Sequence, residues 1–133
     1  MSNLKNLSGI RNKPSRFTDK SVELKVNGSL YVDCYMNLDG TAKHVINAIL
    51  KYMDNDTNLI QIGGDTLQAI IDLTEYNEGT IRKAMVRLNK FSIAEKTNLR
   101  GEYIVNPLFA IKGNDISVWN TYRSLEEAMR VRK

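Results

Sequence analysis

Cysteine and histidine are almost absent from this chain: Cys34 and His44 are the only examples in 133 residues. A single thiol excludes an internal disulfide. One thiol with one imidazole does not make the cluster of soft ligands a structural zinc needs, so neither metal nor cofactor is expected. Any apolar run approaching the roughly 18 to 20 residues of a membrane helix is also missing, and the N-terminal segment has no apolar centre of the kind a signal peptide carries. These absences predict a cytoplasmic protein with no membrane partner. No internal repeat or low-complexity segment is present. No pair of side chains makes a convincing general acid and base, and no glycine-rich loop follows a strand to cradle a phosphate, so catalysis is not expected.

Apolar residues make up 42% of the chain, enough for a folded interior, and the length suits one core rather than two. The net charge of +4 is unevenly spread. Up to Lys20, five bases (Lys5, Arg11, Lys13, Arg16, Lys20) face one acid, Asp19. From Asp33 to Glu78, eight acids (Asp33, Asp39, Asp54, Asp56, Asp65, Asp72, Glu75, Glu78) face only Lys43 and Lys51. From Arg82 to Lys112, seven bases (Arg82, Lys83, Arg87, Lys90, Lys96, Arg100, Lys112) face Glu95 and Glu102. A basic segment that ends a helix and runs through a hairpin suits phosphate binding, because each neutralised phosphate releases condensed counterions; a merely solvated surface is the competing reading.

Residues 1–21 are rich in Asn, Ser, Lys and Arg, contain Pro14 and read as a flexible basic arm. Residues 22–133 read as one domain. Within it, Val22, Leu24 and Val26 alternate with polar neighbours, Asn27-Gly28 suits a tight turn, and Leu30, Val32, Cys34 and Met36 alternate on a return strand. This predicts a β-hairpin over 22–36, with one face covering something apolar. Asp39-Gly40-Thr41 starts a helix whose Val45, Ile46, Ile49, Leu50 and Met53 form a buried stripe. Asp54-Asn55-Asp56 ends it, and Leu59 to Ile62 is a short strand closed by Gly63-Gly64. Asp65 or Thr66 is expected to cap a second helix that presents Leu67, Ile70 and Ile71 and ends near Leu73. A third helix is predicted from Glu78 to Lys90, with Ile81, Ala84, Met85 and Leu88 inward and a basic, polar outer face. Ile93 to Thr97 and Glu102 to Val105 read as two strands around the basic turn Asn98-Leu99-Arg100-Gly101. Pro107 interrupts further pairing, Phe109 and Ile111 return to the core, and Gly113-Asn114 precedes a last amphipathic helix from about Ser117.

Helix, strand, helix, turn, helix and basic hairpin is the order of a winged helix-turn-helix, here over 41–112, so the expected class is α+β with an N-terminal hairpin and a C-terminal helix at 115–133. The candidate DNA-binding residues are Asn77 and Thr80 at the leading end of the third helix, Arg82, Lys83 and Arg87 along it, and Lys96 and Arg100 in the wing. Arg82, Lys83 and Arg87 are close enough along the helix to reach base edges or phosphates of one groove. Among the tyrosines, Tyr31, Tyr35, Tyr52 and Tyr103 read as half-buried amphipathic residues, and Tyr76 stays open as a DNA contact. His44 reads as a surface residue and Cys34 as a small core side chain. Val118, Trp119, Tyr122, Leu125 and Met129 are more than a terminal helix needs for its own packing, which predicts a homodimer formed through that helix.

Three segments carry a resemblance to a known family: Val45 to Leu50, Thr80 to Leu88, and above all Ile104-Val105-Asn106-Pro107-Leu108-Phe109-Ala110-Ile111-Lys112-Gly113. In them the chain resembles the RepL family of plasmid replication proteins, in which a winged helix is followed by an Asn-Pro segment and a Lys/Arg-Gly step. The resemblance implies a protein that binds duplex DNA at a plasmid or phage origin, starts replication and recruits replication proteins. A winged-helix transcriptional regulator would use the same surface. An interaction module of a larger assembly that lacks DNA contact is the alternative from another class.

Overall fold

The computed structural model describes residues 24–27 and 36–131. Among them are four helices and two small antiparallel sheets, a mixed α+β architecture without a barrel. The first helix, α1 (Gly40–Tyr52), starts where Asp39 Oδ1 accepts a hydrogen bond from the Ala42 amide at 2.8 Å. It buries Ala42, Val45, Ile46, Ala48, Ile49 and Leu50. A helix apolar around this much of its circumference belongs in the middle of a fold, and the next two helices, α2 (Gly64–Thr74) and α3 (Glu78–Lys90), both pack on it. Leu67 and Ile70 of α2 and Ile81, Ala84, Met85 and Leu88 of α3 close the core. Only Glu75, Tyr76 and Asn77 separate α2 from α3: Glu75 ends α2 in the left-handed conformation at φ 64, and Asn77 caps α3 through Thr80 N at 2.8 Å.

The strands are β1 (Leu24–Val26), β2 (Leu59–Gln61), β3 (Ala94–Lys96), β4 (Glu102–Val105) and β5 (Ala110–Lys112). One sheet has the order β2-β4-β3, so the hairpin of β3 and β4 extends from the strand that separates α1 from α2. The other pairs β1 with β5, Leu24 facing Lys112 and Val26 facing Ala110. The sequence predicts a hairpin at 22–36. Its turn at Gly28 and its return strand to Tyr35 lie outside the described residues, while Met36 is helical and 69% exposed rather than on a strand. β1 pairs with the edge that β5 offers after Pro107 ends β4, and Lys25 is fastened to Asp115 at 2.9 Å. Leu24 and Val26 stay 43% and 40% exposed, so β1 supplies backbone pairing and does not cover an apolar face.

One helix start also differs from expectation. The capping residue of α2 is Gly63, with no side-chain bond, because Gly63-Gly64 turns the chain straight out of β2 and leaves Asp65 and Thr66 inside the first turn. Asp65 still acts there on the positive end of the helix dipole. The C-terminal helix, α4 (Asp115–Val131), begins before Ser117, whose amide donates to Asn114 Oδ1 at 2.9 Å.

The turn from α1 into β2 holds the two sheets together. Asn58 is fully buried at φ 62, a left-handed conformation that asparagine tolerates better than most residues. Its Nδ2 donates to the Val105 and Ala110 carbonyls at 3.0 and 2.8 Å, and its Oδ1 accepts from the Lys112 amide at 3.0 Å. Two residues earlier, Asp56 accepts from the Asn114 amide at 2.7 Å and its own amide donates to the Lys112 carbonyl at 2.8 Å. Gly113 sits against this turn at φ +94, where a Cβ would run into Asp56.

Removing the Asn58 amide strands two buried carbonyls and one half-buried N–H. Asn58→Gly, which keeps the left-handed turn, is expected to cost about 3 kcal/mol of stability. Asn58→Ala, which adds backbone strain, should cost about 1 kcal/mol more. Urea denaturation of both variants tests this, and a loss under about 1 kcal/mol for either would refute the assigned role.

Candidate nucleic-acid interface

The stripe that α3 buries dictates what it exposes. With Ile81, Ala84, Met85 and Leu88 inward, the outer side carries Arg82, Lys83, Val86, Arg87 and Lys90, all exposed. Arg82 and Arg87 lie about 140° apart around the axis, so they stand on opposite flanks. On one flank, Arg82 Nε donates to Glu78 Oε2 at 2.7 Å. Arg82 shares with Lys96 and Arg100 a groove of about 540 Å³ between α3 and the hairpin, also lined by Gln61, Glu78 and Tyr103. On the other flank, Thr80, Lys83 and Arg87 line a hollow next to Asp39. Arg87 Nε meets Asp39 Oδ2 at 3.0 Å while the other oxygen of that carboxylate caps α1. The seven candidate residues therefore form two sets on either side of α3, with Asn77 at the capping position between them and its Oδ1 taken by Thr80 N.

The hairpin is sewn to the rest of the fold near its tip. Gln61 Nε2 donates to the Arg100 carbonyl at 2.9 Å, and the Ile62 amide donates to the Gly101 carbonyl at 2.7 Å. Gly101 has φ +76, a left-handed conformation that favours glycine, and a Cβ there would come within 2.6 Å of Gln61 Nε2, so the Gln61 side chain would have to shift from its bond to the Arg100 carbonyl. Thr97 Oγ1 donates to Glu102 Oε1 at 2.7 Å across the two strands. Lys96 lies over the Tyr103 ring at 5.9 Å, the two being paired in the β3–β4 register.

Several residues missed by sequence reasoning belong to this surface: Val86, Lys90 and Phe91 on the outer side of α3, and Gln61, Glu78 and Tyr103 in the groove. For Val86 a signal existed, since it falls outside the buried stripe of its helix. For Gln61 none did, because its contact with Arg100 spans distant parts of the chain. Tyr76, left open as a DNA contact by the sequence, is half-buried. It packs against the core, and its OH lies 2.7 Å from His44 Nδ1 with the rings stacked at 5.9 Å. A half-buried aromatic found a partner on α1, while His44 itself is on the surface as expected.

The proposed dimer helix also changes meaning. Val118 and Tyr122 are 0% and 9% exposed within the chain's own fold and are not available to a second copy. Trp119 is half-buried, edge-on to Tyr122 at 5.9 Å and covered by Arg123 at 5.2 Å. Tyr122 reaches the back of β3, where its OH donates to the Glu95 carboxylate at 3.0 Å, joined by Asn106 Nδ2 at 3.2 Å. Burial raises the Glu95 carboxyl above its ordinary range, opposed by the hydrogen bonds from Tyr122 and Asn106. Burial first, then the bond to Glu95, holds the Tyr122 phenol well above its usual value.

Among the described residues, no group of His, Cys, Asp or Glu is placed to hold a metal ion, and no helix is long and apolar enough to cross a membrane. No protein-family model matches the chain, and no curated protein or solved structure shows significant similarity to it.

The raised phenol has a consequence for alkaline stability. Unfolded tyrosine ionises near pH 10, while folded Tyr122 keeps its proton. The stability it contributes is thus complete below about pH 10 and declines as pH rises beyond it. The denaturation midpoint of the native chain should fall more steeply above about pH 10 than that of Tyr122→Phe. Parallel slopes would show that Tyr122 titrates as freely in the folded state as in the unfolded one.

Proposed function

We propose that this chain is a sequence-specific duplex DNA-binding protein of the winged helix-turn-helix type. The carrying observation is the groove in which Arg82 of α3 converges with Lys96 and Arg100 of the β3–β4 hairpin. Three helices, a three-residue turn before the third, and a sheet ordered β2-β4-β3 support the winged-helix reading. In this reading α3 lies in the major groove and the hairpin beside it grips the backbone. Glu78 takes the Arg82 Nε at 2.7 Å and the Ile62 carbonyl lies 3.5 Å from one terminal nitrogen, so the guanidinium is oriented from two sides, and in this reading its remaining N–H groups are offered to guanine O6 and N7. Lys83, Lys90, Lys96 and Arg100 have no carboxylate partner among the described residues and serve phosphates. The resemblance to the RepL family supplies the process: initiation of replication at a plasmid or phage origin, with replication proteins as further partners.

Binding to duplex DNA should depend steeply on salt. If Lys83, Arg87, Lys90, Lys96 and Arg100 each neutralise one phosphate, affinity falls by roughly five hundredfold between about 50 and 200 mM salt. Fluorescence anisotropy on a labelled duplex measures the slope, and a flat response removes the electrostatic basis of the reading. A chain that binds no duplex at all would point to the interaction module.

Arg82 and Arg100 should separate by role. On a duplex selected from a random pool, Arg82→Ala is expected to cost about 1 to 3 kcal/mol, with little effect on unselected DNA. Arg100→Ala should weaken both alike, as a backbone contact does. Equal losses on both duplexes for Arg82→Ala would take that residue out of sequence reading.

A further inference from the structure

We infer that Val86 is a specificity residue that packs against the methyl group of a thymine in the major groove, an inference that rests on the duplex-binding reading above. Val86 is 67% exposed, although it sits in the third turn of a helix whose opposite side is fully buried. One heptad earlier on the same outward line is Gly79, also exposed. Val86 is a poor choice for a helix that faces only water, because a β-branched residue loses side-chain freedom against the preceding turn, and Gly79, in the first turn, leaves the backbone bare. The fold does not require glycine there, since a Cβ at Gly79 would meet nothing nearer than Asn77 Oδ1 at 3.5 Å. A bare backbone followed by a short apolar side chain describes a helix line approached closely by another surface.

The surroundings identify the chemistry of that surface. Val86 and Phe91 floor a shallow apolar hollow whose other lining residues are Lys83, Arg87 and Lys90, with no carboxylate among them. A rim of one charge sign around an apolar centre fits a polyanion that carries an apolar group. Duplex DNA presents one such group in its major groove, the C5 methyl of thymine. Lys83 and Lys90, near Val86 on the helix surface, would hold the flanking phosphates while Val86 meets the base edge. Cation and apolar contact then divide the work, since lysine grips any sequence and valine distinguishes thymine from cytosine.

The test removes the methyl group without altering base pairing. A duplex is selected from a random pool with the intact chain, and each thymidine in turn is replaced by deoxyuridine. At one position the replacement should weaken binding by about fourfold, the worth of one buried methyl. Val86→Ala, an exposed change to a better helix former, should weaken binding to the thymidine duplex by a similar factor and abolish sensitivity to deoxyuridine at that position. Indifference to deoxyuridine at every position, or a methyl effect that persists undiminished in Val86→Ala, overturns the inference while leaving duplex binding standing. Failure to enrich any duplex overturns both.

Discussion

The side-chain amide of Asn58 is the contact on which the rest of the structure depends. The turn that leads from α1 into β2 must reverse direction inside the core, where backbone polar groups have no water to turn to. Asn58 solves this by adopting the left-handed conformation and spending its whole amide on β4 and β5, two strands that belong to different sheets. Its own amide and carbonyl are occupied as well, by the Asp54 carbonyl and the Val105 amide. Lys112, held at the same place, reaches back to the Lys51 and Met53 carbonyls at the end of α1, at 2.6 and 3.0 Å. One buried side chain thereby sets where the hairpin's inner strand lies relative to the central helix.

From that anchor, the geometry of the candidate interface follows by short steps. β4 carries the hairpin, Gln61 at the end of β2 holds the hairpin near its tip, and α1 is tied through Asp39 to Arg87 on α3. The exposed ion pairs involved contribute little to stability individually. Their value is positional, since side chains already held in place lose less freedom when a ligand arrives. The Glu95–Tyr122 bond does the same from behind, bracing β3 against α4 on the side away from Lys96.

The parts of this fold legible in the sequence are those in which one helix or strand decides its own burial. The α3 boundaries and stripe were readable because Asn77 caps, Ile81, Ala84, Met85 and Leu88 repeat at helical spacing, and Lys90 ends the pattern. The hairpin was readable because Gly101 marks a turn between two alternating runs. The partner of β1 was not, because a strand with local alternation and an Asn-Gly beside it looks like a hairpin arm regardless of which distant edge it meets. The partners of Tyr76 and Tyr122 were not readable for a related reason. An amphipathic ring next to a functional element looks the same in sequence whether it faces solvent or a buried partner, and here the partners were His44 and Glu95, far away along the chain. Asn58 carried no local signal at all, since its bonds run to residues about fifty positions away.

The charge asymmetry of the chain gains a physical explanation from the same contacts. Many acids of the central segment have internal work: Asp39 caps α1 and holds Arg87, Asp56 receives the start of α4, and Glu78 orients Arg82. Glu95, in the basic segment, is turned away from the outer face of the hairpin toward Tyr122 and Asn106. The bases of α3 and the hairpin are spent differently, and Lys83, Lys90, Lys96 and Arg100 are matched by no carboxylate among the described residues. On that face Glu78 and Asp39 still engage Arg82 and Arg87, so the charge left unopposed is that of Lys83, Lys90, Lys96 and Arg100. Such a patch raises the local positive potential and draws anions toward the outer side of α3 and the hairpin.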